Sequence, residues 1–128
     1  MIHNQKKILV LDDELSNAKV LSTMLTLHGY ENEQFLDSTL ALSALLASPQ
    51  HYSLVVADRM MPKLEAPQLI ERLHQNEATK EIPVVVVTGL AETFEKIELI
   101  KAGAFDILMK PVDMPLLIAV VKRALAAV

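Results

Sequence analysis

The chain has no cysteine, which excludes a disulfide framework and thiolate-bound metal and suits a reducing compartment. No apolar run approaches the length of a membrane span. Only four apolar residues, Ile8 to Leu11, separate the polar N-terminal segment from Asp12, too few for the core of a secretory leader. A cytoplasmic protein that enters no membrane is therefore expected. Aromatic residues make up 4% of the chain, no basic block interleaves with them, and the formal net charge is -4. That argues against direct nucleic-acid binding. What remains is apolar: 52% of the 128 residues, enough for one domain, 1–128, around a single core.

Four short apolar runs each end in a polar group. Ile8-Leu9-Val10-Leu11 precedes Asp12-Asp13, and Leu54-Val55-Val56-Ala57 precedes Asp58. Val84-Val85-Val86-Val87 precedes Thr88, and Ile107-Leu108-Met109 precedes Lys110-Pro111. Such runs fit strands buried on both faces. Met61-Pro62 prevents the second run from continuing as a strand, so Asp58 stands at its C-terminal tip. In an open parallel sheet that edge is where ligands bind.

The segments between the runs carry helical periodicity. Helices are expected from Leu15 to His28, closed by Gly29, and from a cap at Asp37 or Ser38 to about Ser48-Pro49. Others are expected from Pro67, from Glu92 to Ala102 with Gly103 as its stop, and from Met114 to Val128. Glu31 to Phe35 is short and polar, as an edge strand would be. His28 suits the negative end of the first helix, while His3, His51 and His74 show no metal spacing and should be exposed. Alternating strands and helices predict an α/β fold: a five-stranded parallel sheet, order 2-1-3-4-5, with helices on both faces.

With all four runs parallel, one rim of the sheet gathers three carboxylates, a hydroxyl and an ammonium. Crowded carboxylates cannot all ionise cheaply, and an oxygen-only cluster suits a hard cation such as Mg²⁺. One carboxylate can then act as a nucleophile toward phosphorus.

Over nearly its whole length the chain resembles the receiver domain of bacterial two-component response regulators. The resemblance rests on Asp12-Asp13, on Asp58 with Met61-Pro62 behind it, on Thr88 followed by Gly89, and on Lys110-Pro111 after Gly103-Ala104. It implies that Asp58 accepts a phosphoryl group from a histidine kinase or a phosphotransfer protein. It also implies that Asp12, Asp13, Asp58 and the backbone carbonyl of Met60 hold Mg²⁺, with Thr88 and Lys110 on the phosphoryl oxygens, and that the Lys110-Pro111 bond is cis. The role is a signalling switch rather than an enzyme with an external substrate.

Other readings fit less well. A phosphatase of this chemistry places an Asp two residues after the nucleophile, where this chain has Met60. A flavin module needs a small-residue phosphate loop after the first strand, where Asp12-Asp13-Glu14 would repel phosphate. A pseudo-receiver that only binds partners does not need the complete set of site residues.

Several positions depart from the receiver pattern. Ile107 stands where an aromatic residue is usual three positions before the lysine. Glu65-Ala66 replaces the usual ending in glycine; a left-handed alanine costs roughly 1–2 kcal/mol, so Ala66 should be extended and the third helix should begin at Pro67. The spacing of Asn17 from the acidic pair resembles that of receivers attached to hybrid kinases. In receiver domains the side chains two positions after the phosphoacceptor and two after the motif hydroxyl flank the approach of water to the phosphorus; here they are Met60 and Leu90, which cannot orient it, so the resemblance implies slow self-dephosphorylation. Leu116, Val120 and Ala127 leave the last helix apolar beyond its sheet-facing side, so a second copy or an adjoining domain is expected over the fourth helix, fifth strand and last helix.

Overall fold

The computed structural model describes residues 6–89 and 93–127. Strands and helices alternate through them: β1 (Lys7–Leu11), α1 (Leu15–Leu27), β2 (Asn32–Phe35), α2 (Ser38–Ala47), β3 (Tyr52–Asp58), α3 (Ala66–His74), β4 (Val84–Thr88), α4 (Thr93–Ala102), β5 (Asp106–Met109) and α5 (Met114–Ala126). The sheet is wholly parallel, in the order β2-β1-β3-β4-β5. This is the expected fold class. Expectations for His3, Leu90, Val128 and the start of α4 at Glu92 fall outside the described residues.

Side-chain alternation divides the core into two layers. Leu9, Leu11, Val55, Ala57, Val84 and Val86 pack with α2 and α3 and with Leu99 of α4. Ile8, Val10, Leu54, Val56, Val85, Val87 and Leu108 pack with α1 and α5. β1, β3 and β4 are thus buried on both faces, which is why they read as unbroken apolar runs. β2 carries no fully buried residue and forms one edge, as its polarity predicted. Gly29 and Gly103 end α1 and α4 with φ of +82° and +109°. The positive φ favours glycine at Gly103, and a Cβ there would come within 2.3 Å of the His74 ring and push it aside.

Two local expectations are corrected. Helix α3 begins at Ala66, not Pro67. Glu65 is the extended residue at φ -81° and ψ 166°, the Ala66 N–H donates to the Arg59 carbonyl at 3.1 Å, and proline fits the first turn because it has no N–H to satisfy. Ala66 avoids positive φ as expected; the left-handed residue in this loop is Lys63, at φ 72°. In α5, Val120 is buried rather than outward-facing, together with Leu117, Ile118, Val121 and Ala124. Leu116 is 52% exposed. The Lys110-Pro111 bond is cis, as the resemblance implied.

Asp37 caps α2, accepting from the Thr39 and Leu40 N–H groups at 2.8 and 3.2 Å. Its other oxygen accepts from Lys63 Nζ at 2.7 Å, and Ser38 Oγ donates to the Pro62 carbonyl at 3.0 Å. These contacts fasten the loop after β3 to the start of α2. The Lys63 ammonium, then Thr39, hold the Asp37 carboxyl well below the usual carboxylate range. A depressed carboxyl stabilises the fold above its unfolded pKa, near 3.9, and that contribution fades as pH falls below it. Asp37→Ala should therefore lower the thermal midpoint by a few degrees at neutral pH, the size of a lost helix cap in a domain of this length. The gap from wild type should narrow below about pH 3.9, as thermal melts followed by circular dichroism would record.

Candidate functional site

Register assembles the site. Leu11 pairs with Ala57 and Asp58 with Val87, so Asp12 and Asp58 leave neighbouring strands at one level. Thr88 pairs with Met109, and the Lys110 N–H donates to the Thr88 carbonyl at 2.9 Å, which brings the last two candidates to the same edge. Asp12, Asp58 and Thr88 are buried, while Asp13 is exposed.

The three carboxylates each offer an oxygen within 4.8 Å of the others. Lys110 Nζ lies 2.7 Å from Asp58 Oδ1 and 3.6 Å from Asp12 Oδ2. The first is a charge-assisted hydrogen bond; the second is too long for one. Asp12 Oδ1 accepts from the Glu14 N–H at 2.9 Å. Asp12 Oδ2 is buried and accepts no hydrogen bond. A buried carboxylate oxygen without a donor is costly, and a cation is what would satisfy it. The cluster, all oxygen and no nitrogen, thus fits a hard divalent ion.

The local charges act on one another. Burial raises the Asp12 carboxyl above its ordinary value; the Glu14 N–H pulls it down, and Asp58 pushes it up again. Burial lowers the Lys110 ammonium, but its hydrogen bond with Asp58 and the charges of Asp58 and Asp12 together outweigh this and leave it raised. Lys110 is therefore firmly charged at neutral pH.

Sequence reasoning named these five side chains, and the fold brings them together. Met60 follows at the rim, 56% exposed, and Met61 is buried beneath. Ile107 is half-buried against the α3–α4 layer, so no aromatic ring stands there. Asn17 bonds Glu14 Oε1 at 3.1 Å rather than a site carboxylate.

Sequence reasoning missed Arg59. Its N–H donates to the Val87 carbonyl at 2.9 Å, and its guanidinium lies 3.4 Å from Glu95 and 3.7 Å from Glu98 of α4. The available signal was a pair of glutamates three apart on one helix face, facing a cation next to Asp58.

The response regulator receiver domain family matches residues 8–122 of the chain. The chain belongs to that family. Among curated relatives, it is 32% identical over 119 residues to the DNA-binding dual master transcriptional regulator RpaA of Synechocystis, covering 93% of this chain and 48% of the relative. It is 33% identical over 116 residues to response regulator PleD of Caulobacter vibrioides, covering 91% of this chain and 25% of that protein. The receiver thus spans less than half the length of these relatives. Among solved structures it resembles a response regulator receiver domain from Clostridium thermocellum, with a TM-score of 0.87, 28% identity, and 95% of each chain covered. It also resembles the signal receiver domain of a histidine kinase from Syntrophus aciditrophicus, with a TM-score of 0.85, 27% identity, and 96% and 92% of the two chains covered. Receiver domains are signalling switches. No helix among the described residues is long and apolar enough to cross a membrane.

Lys110 is the counter-charge of this receiver's acidic cluster. Lys110→Met should lower stability without metal by about 1–3 kcal/mol, the scale of a lost hydrogen bond to a charged group. Asp13→Asn, which removes a repelling charge, should raise it. Urea titrations in chelator would show both, and equal stability of wild type and Lys110→Met would mean that solvent already screens the cluster.

Proposed function

We propose that this receiver, treated as one domain over 1–128, is a cytoplasmic phosphoacceptor switch with Asp58 as the acceptor. The observation that carries the reading is the Lys110 ammonium 2.7 Å from an Asp58 oxygen within a three-carboxylate cluster. A phosphorylated histidine of a kinase or phosphotransfer protein presents its phosphorus to Asp58. An Asp58 oxygen forms the new O–P bond, the N–P bond breaks, and the electron pair returns to the imidazole. Lys110 and Thr88 contact the phosphoryl oxygens and hold them in line. Asp12, Asp13, Asp58 and the Met60 carbonyl would hold Mg²⁺, which supplies charge neutralisation for the transferring group.

The donor needs a surface beside Asp58. A groove of about 590 Å³ opens there, lined by Val20, Met24, Pro111 and Val112 next to Asp12 and Lys110. Val20 and Leu15 are about half exposed on α1, at 52% and 49%. This apolar surface supports the docking of a partner's helix. A second copy or an adjoining domain is proposed over α4, β5 and α5, where Phe94, Ile97, Ile100, Met109 and Leu116 are exposed. Sedimentation as a strict monomer in both phosphorylation states would exclude the second copy. Direct contact with nucleic acid is not proposed for this segment, although RpaA is a DNA-binding regulator.

Incubation with Mg²⁺ and a small-molecule phosphodonor, followed by intact mass measurement, tests the reading. One added phosphoryl group, absent from Asp58→Ala, is expected. No adduct, with partner binding intact, would indicate an interaction module. Continuous phosphate release would indicate a phosphatase.

The signal should also be long-lived. Met60 stands at the rim and can neither accept a proton nor orient a water. A positioned acid or base typically contributes about 10²–10⁴-fold, and part of that should be recoverable. Decay of phosphorylated Asp58 after donor removal should be slow in wild type and faster in Met60→Asn combined with Leu90→Glu. Equal decay would assign the water's approach to other groups.

A further inference from the structure

Helix α4 is the least anchored helix of this receiver. Leu99 is its one buried residue among those described, whereas α3 and α5 each bury five. Phe94, Ile97 and Ile100 stand 76%, 47% and 64% exposed. A helix with so little buried surface is the element whose displacement costs least. What holds it from the site side is Arg59, the residue after Asp58.

The backbone of Arg59 is fixed on both sides, its N–H on the Val87 carbonyl and its own carbonyl on the Ala66 N–H. Its side chain continues the alternation of Val55 and Ala57 and so projects toward the α3–α4 layer. There the side chain, 14% exposed, shares its guanidinium between Glu95 and Glu98. The sharing is loose: 3.4 and 3.7 Å exceed the length of a good charge-assisted bond, and Nε is buried without a partner. A mostly buried cation satisfied only in part responds readily to a new charge.

We propose that Arg59 is a positioning residue that latches α4 in its resting place and ties that place to the charge on Asp58. The proposal rests on Asp58 being the phosphoacceptor. A phosphoryl group on Asp58 adds negative charge one residue away, and that charge competes with Glu95 and Glu98 for the guanidinium. Phosphorylation thus weakens the hold on α4 and frees the helix that carries Phe94, Ile97 and Ile100. Ile107 has no ring with which to relay the signal, so the ion pair supplies a route from the acceptor to this surface.

Linkage gives the test. If phosphorylation loosens the latch, loosening the latch favours the phosphorylated form by the same factor. Beryllofluoride, an unreactive phosphoryl mimic, measures this at equilibrium with Mg²⁺ by fluorine NMR. Glu95→Gln with Glu98→Gln should tighten beryllofluoride binding on the order of fivefold, the lower end of usual coupling, whereas Arg59→Met, which removes the latch and the competing cation together, should not tighten it. On the Arg59→Met background the two glutamine substitutions should add little, because the glutamates act through Arg59. Unchanged or weaker binding with Glu95→Gln and Glu98→Gln, or the same tightening on the Arg59→Met background, overturns the latch. Failure of the wild type to bind beryllofluoride, or equal binding by Asp58→Ala, overturns the phosphoacceptor reading instead.

Discussion

Like charge gathered at the carboxyl ends of neighbouring parallel strands is the constraint to which the rest of the molecule answers. Parallel strands all finish at one edge, so carboxylates that follow β1 and β3 must meet there. Three within 4.8 Å, with one ammonium among them, repel one another. They are held together by strands whose side chains are buried on both faces and cannot relax apart. Asp12 Oδ2 remains without a donor, a defect that a binding site has reason to keep.

The loops around this edge are fastened individually. Asp37, Ser38, Pro62 and Lys63 join the start of α2 to the loop after β3. The Arg59 backbone joins the tip of β3 to β4 and to α3. Helix α4 receives the weakest fastening, two long ion contacts and one buried leucine. Stability is therefore uneven around the site, rigid beneath Asp58 and lax to one side. A switch needs that unevenness, because a uniformly tight shell would have no second arrangement to occupy.

The strands and the site were legible in the sequence because the same feature marks both. An unbroken apolar run means burial on two faces, and the polar residue that ends it must lie at the sheet's edge. Helix starts were less legible. Pro67 pointed to its own position, but the Arg59 carbonyl that anchors Ala66 comes from a contact no local rule displays. Val120 was misjudged because α5 is broadly apolar, and only packing against β1, β3 and β4 decides which side is inward. Arg59 escaped notice because a single exposed-type residue after the acceptor carries no periodicity. Its meaning depends on Glu95 and Glu98, far along the chain.

The parallel strand order has one more consequence. The carboxylate-bearing edge takes its groups from four strands, and the first and last of them, ending at Asp12 and Lys110, lie at opposite ends of the sequence. No hairpin or sub-assembly contains the set, since parallel neighbours are joined only through intervening helices. A nascent or partly unfolded chain thus has the carboxylates but not the pocket. If Asp58 accepts phosphoryl groups as proposed, such a chain cannot compete with finished molecules for them, and the chemistry itself certifies that the sheet is complete.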